Sequence, residues 1–165
     1  MQFQAGGFAE HVLEVLDRVG LPPNLLELEL TESVAMRDPD QVIAQVAPMR
    51  DKGVRFAIDD FGTGHSSLAS LTRMPFDTFK IDQSFVRQME TDPSSRVVVE
   101  TILAMARALG YETVGEGVET PTQFAFLRLN GCTTAQGWYF GKPVPEAEFL
   151  ARLLADRKSA NGAAS

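Results

Sequence analysis

Hydrophobic positions along the chain switch between two spacings. Phe8, Val12, Leu13, Val15, Leu16 and Val19 share one helical face, and Gly20 with Pro22-Pro23 ends that segment. Leu25 to Thr31 reads as a strand. Asp38-Pro39 predicts an N-cap with proline in the first turn of a helix running to about Lys52, with Pro48 kinking it or shortening its regular part. Further strands are predicted over Val54 to Ile58, Thr78 to Ile81, Thr113 to Gly117 and Thr134 to Phe140. Helical segments follow them: a short one from about Ser66 to Arg73, a long one capped by Ser94 or Ser95 and stopped at Gly110, one from Pro121 to Leu129, and one from Pro145 to about Arg157. From Ser159 the Ala, Ser and Gly residues have nothing to bury, so a disordered tail is expected over 158–165.

Strands that alternate with helices predict an α/β fold with parallel strands joined by helical crossovers. Five strands, each followed by a helix, fit either an open doubly wound sheet or part of a (β/α)8 barrel. A complete barrel takes about 250 residues. A chain of 165 therefore holds about five of its eight βα units.

Composition narrows the chemistry. The chain is 44% hydrophobic and 22% charged, as in a globular domain, and no apolar run is long enough to span a bilayer. The single cysteine, Cys132, excludes a disulfide framework and a cysteine-based zinc site, and a reducing cytoplasm is the expected compartment. A net charge of −7 argues against DNA or RNA as a partner. It leaves room for a phosphate ligand held through divalent cations on carboxylates.

Those carboxylates gather where strands end: Glu29 and Glu32, then Asp59 and Asp60, then Lys80 with Asp82, then Glu116 and Glu119, with Gln136 in the last strand. The C-terminal edge of parallel strands is where ligands collect in α/β folds. Alternation turns Glu29 away from Leu28 and Leu30, and Lys80 away from Phe79 and Ile81. A single acidic residue at a strand end is ordinarily a turn or cap residue. Several together repel one another unless cations neutralise them, which points to a site of Mg²⁺ or Mn²⁺ type with a lysine to steady a phosphate or a metal-bound hydroxide.

Other motif matches fail. Asp60-Phe61-Gly62 lacks the rest of a kinase, and Gly137 to Lys142 is too short for a phosphate-binding loop and continues with Pro143. His65 could line the site but has no second histidine nearby.

The residues do resemble one known family. Leu28-Glu29-Leu30-Thr31-Glu32-Ser33, Ile58-Asp59-Asp60-Phe61-Gly62-Thr63-Gly64 with Ser66-Ser67-Leu68, and Phe79-Lys80-Ile81-Asp82 with Ser84-Phe85-Val86 are similar to EAL-domain motifs. Gly115-Glu116-Gly117-Val118-Glu119-Thr120 and Ala135-Gln136-Gly137-Trp138-Tyr139-Phe140 continue the likeness in order. The resemblance implies a modified TIM barrel that hydrolyses cyclic di-GMP to linear pGpG with two Mg²⁺ or Mn²⁺ ions. By motif position it implies Glu29, Asp59, Asp60 and Glu116 as metal ligands, with Glu116 alternatively a general base. Lys80 would orient the attacking water or contact a phosphate. Glu119 and Gln136 would complete the metal and substrate surroundings, and Glu32 would anchor the loop after Asp60. That loop and the adjacent helix would form a homodimer contact.

The sequence departs from the family pattern upstream. The Glu-Ala-Leu triplet and the asparagine of the N-x-S strand are absent, and Met1 to Gln4 falls where that strand would just have ended. The expectation is a partial EAL-like domain over 1–157 that lacks the N-terminal strands and two metal ligands. Such a chain is a piece of a longer protein, is completed by another chain, or is a remnant without turnover. The alternative function is a non-catalytic module that binds cyclic di-GMP or assembles with a partner. Smaller departures are His65 for tyrosine, Gly115 for alanine and Thr133 for aspartate, all expected to be tolerated.

Overall fold

A computed structural model describes residues 7–64 and 67–162. His65, Ser66, Met1 to Gln4 and residues 163–165, on which parts of the sequence reading fell, lie outside the described residues.

Helix α1 (Phe8–Val19) closes on Gly20 in the left-handed region, where the absent Cβ removes the strain. It packs on α3 (Pro39–Arg50). Asp38 caps α3 by accepting from the Gln41 N–H at 3.1 Å. The helix continues past Pro48 to Arg50 and buries Val42, Val46 and Met49. The strands are β1 (Glu27–Thr31), β2 (Arg55–Phe61), β3 (Thr78–Ile81), β4 (Glu112–Gly115) and β5 (Thr134–Ala135). Between them lie α2 (Glu32–Arg37), α4 (Leu68–Leu71), α5 (Gln83–Gln88), α6 (Pro93–Leu109) and α7 (Pro121–Leu129), and α8 (Glu146–Gly162) follows the last strand.

All strand pairs are parallel and the sheet order is β1-β2-β3-β4-β5. A doubly wound sheet reverses its order at a switch point. A strictly sequential order is the barrel arrangement, which decides between the two architectures the pattern allowed. The central strands are the most buried: every residue of β3 is buried, and β2 buries Phe56, Ala57 and Ile58 in succession. Phe61 stacks on Phe79 at 4.4 Å between ring centres, and Phe79 packs against Tyr111 at 4.6 Å. At the opposite end of the strands from the acidic cluster, Arg55 on β2 bonds to Thr78 on β3 and Glu112 on β4 and pairs with Glu27 on β1. One guanidinium thus ties four strands in register.

Several boundaries differ from the sequence reading. Helices α2 and α5 are one-and-a-half-turn segments directly after strand ends, too short to show a helical period. The long helix is capped by Asp92, whose carboxylate accepts from the Ser94 and Ser95 N–H groups at 3.0 Å; the serines are the capped residues. Strand β5 has two residues, because Gly137 leaves the sheet to lie against Val118, where a Cβ would fall 2.2 Å from the Val118 carbonyl oxygen. Helix α8 stays helical through Gly162, over the first residues of the expected tail, since Lys158 to Asn161 include no breaker.

Candidate active site

The acidic residues come together because sheet pairing aligns the C-terminal ends of β1 to β4. Lys80, 7% exposed in β3, is the hub. Its ammonium donates to Glu29 Oε2 on β1 at 2.8 Å, Asp59 Oδ1 on β2 at 2.9 Å and Glu116 Oε1, just beyond β4, at 3.0 Å. Burial pulls the lysine pKa down, but the hydrogen bonds it donates to Glu29, Asp59 and Glu116 outweigh it and hold it above the ordinary lysine value. Lys80 is a fixed cation at neutral pH.

Adjacent residues of a regular strand face opposite sides. Asp59 and Asp60 escape that rule because the β2–β3 register shifts between Ile58 and Phe61, and Asp60 adopts φ +54°. Aspartate is among the few residues that accept the left-handed region. One carboxylate oxygen from each of Asp59, Asp60 and Glu116 consequently lies within 4.8 Å of the others, which is the span of a divalent-cation ligand set. Burial, then Asp59 and Asp82, push the Asp60 carboxyl above its ordinary value. Burial likewise pushes Glu116 up, with Lys80 pulling it partly back. Groups that crowd negative charge at such a cost are suited to a cation. Glu29 is not one of this trio; its contact is with Lys80.

Glu32, buried at the start of α2, accepts from the Gly62 N–H at 2.9 Å and the Gly64 N–H at 3.1 Å, and so holds the turn that follows Asp60. Glu119 is not one of the trio either; it accepts from Arg87 Nη2 at 2.8 Å. Glu116, Glu119 and Gln136 line a cleft of about 570 Å³ with Gln83, Arg87, Trp138 and Lys142. None of the latter four was among the site residues expected from the sequence, although Trp138 and Lys142 stand in stretches it drew attention to. Lys142 lies 5.0 Å from the centre of the exposed Trp138 ring, a pairing that the short Gly137 to Lys142 segment could have suggested. Gly115 and Thr133 have defined roles. A Cβ on Gly115 would fall 2.6 Å from Leu127 Cδ1, and the Thr133 hydroxyl accepts from the Thr113 N–H at 3.2 Å.

A sequential parallel sheet with carboxylates and one lysine at its C-terminal edge defines a barrel-type α/β protein able to hold a divalent cation beside a fixed positive charge. The chain belongs to the EAL domain family, whose profile matches residues 1–143. It is 44% identical over 144 residues to the cyclic di-GMP phosphodiesterase NbdA of Pseudomonas aeruginosa, an alignment covering 86% of this chain and 18% of that protein. The solved phosphodiesterase PaMucR in complex with c-di-GMP superposes with a TM-score of 0.87 at 40% identity, covering 90% of this chain and 60% of that one. Klebsiella pneumoniae BlrP1, solved as a manganese and cyclic di-GMP complex, gives a TM-score of 0.77 at 30% identity, covering 86% and 36% of the respective chains. The chain thus spans about a fifth of the length of the curated relatives it matches. No helix among the described residues is long and apolar enough to cross a membrane.

Proposed function

We propose that this chain carries the hydrolytic strand ends of a cyclic di-GMP phosphodiesterase that yields linear pGpG. The observation that carries the reading is the convergence of Asp59, Asp60 and Glu116 beside Lys80. Asp59, Asp60 and Glu116 would hold Mg²⁺ or Mn²⁺, with Glu29 joining where a second ion is bound. Such ions supply Lewis-acid stabilisation of phosphate charge and a water of lowered pKa.

The residues of the chain account for the rest. Lys80, kept charged by its three carboxylates, would orient the attacking water or, on giving up one carboxylate, contact a phosphate oxygen. Glu116, which meets Asp59 and Asp60 within 4.8 Å, is alternatively the general base that accepts the proton of the attacking water. Attack at phosphorus breaks the bond to the opposite ester oxygen, which leaves as the hydroxyl of the linear product after taking a proton from solvent. Glu32 keeps the turn after Asp60 in place through two backbone donors. Glu119 and Gln136, on the cleft beside Glu116, would meet the remainder of the nucleotide. The turn after Asp60 with its adjacent helix is the proposed homodimer contact, and the cytoplasm the proposed compartment.

The test is hydrolysis of cyclic di-GMP by the purified chain with Mg²⁺ or Mn²⁺, beside Asp59→Asn. Metal-dependent appearance of pGpG that Asp59→Asn abolishes is the expected result. Nucleotide binding without turnover, unchanged by metal, would replace this reading with a non-catalytic binding module.

A further inference from the structure

Gln123 stands in the first turn of α7, 3% exposed, and makes more bonds than a helix cap requires. A capping box asks its side chain for one bond, to the N-cap N–H, here that of Thr120. Gln123 Oε1 accepts that bond at 3.1 Å and a shorter one from the Glu119 N–H at 2.7 Å. Gln123 Nε2 turns to Glu90 Oε2 at 3.4 Å, and Glu90 Oε1 accepts from the Thr120 hydroxyl at 3.0 Å. Glu90 follows α5, the helix whose Arg87 holds the Glu119 carboxylate.

The segment from Glu116 to Thr120 is therefore gripped from two sides. On the far side the buried Val118 donates to the Gln136 carbonyl and accepts from the Tyr139 N–H, both at 3.0 Å. Gly117 between them, at φ +67°, sits where a Cβ would fall 2.7 Å from the Gln83 Cβ. Two carboxylates with different partners, Lys80 for Glu116 and Arg87 for Glu119, thus project from one short segment with little freedom.

We propose that Gln123, partnered by Glu90, is a positioning residue for both glutamates of this segment. It fixes the Glu119 backbone directly and, through the intervening residues, the side from which Glu116 meets Asp59 and Asp60. The assignment rests on the phosphodiesterase reading and adds a control point outside the cluster itself. Displacement of a reacting group by about 1 Å can cost about a hundredfold in rate, so a buried bond of this kind acts well beyond helix stability.

The experiment compares the full chain with Gln123→Met, with Glu90→Ala, and with the exchange of Glu90→Gln and Gln123→Glu. The exchange keeps an acceptor for the two backbone donors and reverses the bond between positions 90 and 123. Mn²⁺ affinity is read by electron paramagnetic resonance and kcat and KM with cyclic di-GMP, each well below the melting temperature of the variant. Gln123→Met is expected to weaken Mn²⁺ binding about tenfold and lower kcat at least about tenfold, with KM changed less than about threefold. The exchange should recover most of both. Glu90→Ala, which leaves the buried glutamine in place, should shift both in the same direction by about threefold.

Unchanged Mn²⁺ affinity and kcat in a Gln123→Met protein that only melts earlier would overturn the assignment and leave a helix cap. Should Gln123→Met not fold, wild-type values in Glu90→Ala would overturn it equally. Mn²⁺ binding that responds to position 123 in a chain without cyclic di-GMP hydrolysis would support the positioning role while overturning the phosphodiesterase reading. A wild-type chain that neither binds Mn²⁺ nor turns over would overturn both.

Discussion

The Glu32 carboxylate occupies the space that a side chain at Gly64 would need. An added Cβ there would lie 2.8 Å from Glu32 Oε1, and the same carboxylate accepts from the Gly62 and Gly64 N–H groups. Gly64→Ala is therefore expected to push Glu32 off both donors and to destabilise the fold by about 1–3 kcal/mol, the usual cost of leaving buried polar groups unsatisfied. Glu32→Gln, which keeps an acceptor oxygen, should cost less than Gly64→Ala. Urea denaturation of the two variants gives the comparison, and the reverse order would contradict the geometry.

Lys80 neutralises carboxylates from three different strand ends. Lys80→Met leaves them facing one another. Because Glu29, Asp59 and Glu116 keep partial access to water, the loss in the metal-free chain is expected at about 2 kcal/mol, below the 3–5 kcal/mol typical of a fully buried pair. Mn²⁺ should raise the melting temperature of Lys80→Met more than that of the wild type, since it replaces the missing charge. Thermal melts with and without Mn²⁺ check this, and an equal shift in both proteins would contradict it.

Acid should weaken metal binding. Asp60 and Glu116 are both pushed above the ordinary carboxylate value, so they keep their protons to higher pH than free side chains do. The sign follows from linkage: protonation favours the metal-free folded state at these groups, and that contribution is lost as pH rises through the raised range. A cation must displace those protons, so its affinity falls as pH drops through the same range, by up to about tenfold per unit for each proton released. Mn²⁺ titrations at several pH values measure the slope. Asp60→Asn should flatten it, and an unchanged slope would remove Asp60 from the ligand set.

Gly115 is narrower in its tolerance than its sequence context implies. A Cβ there would fall 2.6 Å from Leu127 Cδ1, and Leu127 is fully buried. Gly115→Ala is expected to cost about 1–3 kcal/mol by overpacking, and Leu127→Ala about 2–5 kcal/mol by leaving a cavity. The double variant should cost less than the sum, because the added methyl group partly fills the space that the leucine vacates. Strict additivity in a double-mutant cycle would show that the two positions do not touch.

Much of this protein could be read from its residues. The bounds of α1, β3 and α7 follow from a clean period and strong local signals: apolar spacing to Val19 before Gly20, alternation around Lys80, and Thr120-Pro121 ahead of Asn130-Gly131. The acidic residues at the strand ends were visible for the same reason, since the end of an alternating run marks where a parallel sheet presents its ligands. Helices α2 and α5 were not visible, because six residues make too little of a turn pattern to stand out.

By itself, the sequence determined which segments become strands and helices and which polar residues stand at the strand ends, because propensity, capping and period act within a few residues. Tertiary structure alone decided the sequential strand order, the bulge that turns Asp60 to the side of Asp59, the threefold grip on Lys80, and the Gln123–Glu90 bond behind Glu119. Each of those joins residues far apart in the chain. Their geometry is set by register between strands and by packing of helices on the sheet, which no local pattern carries.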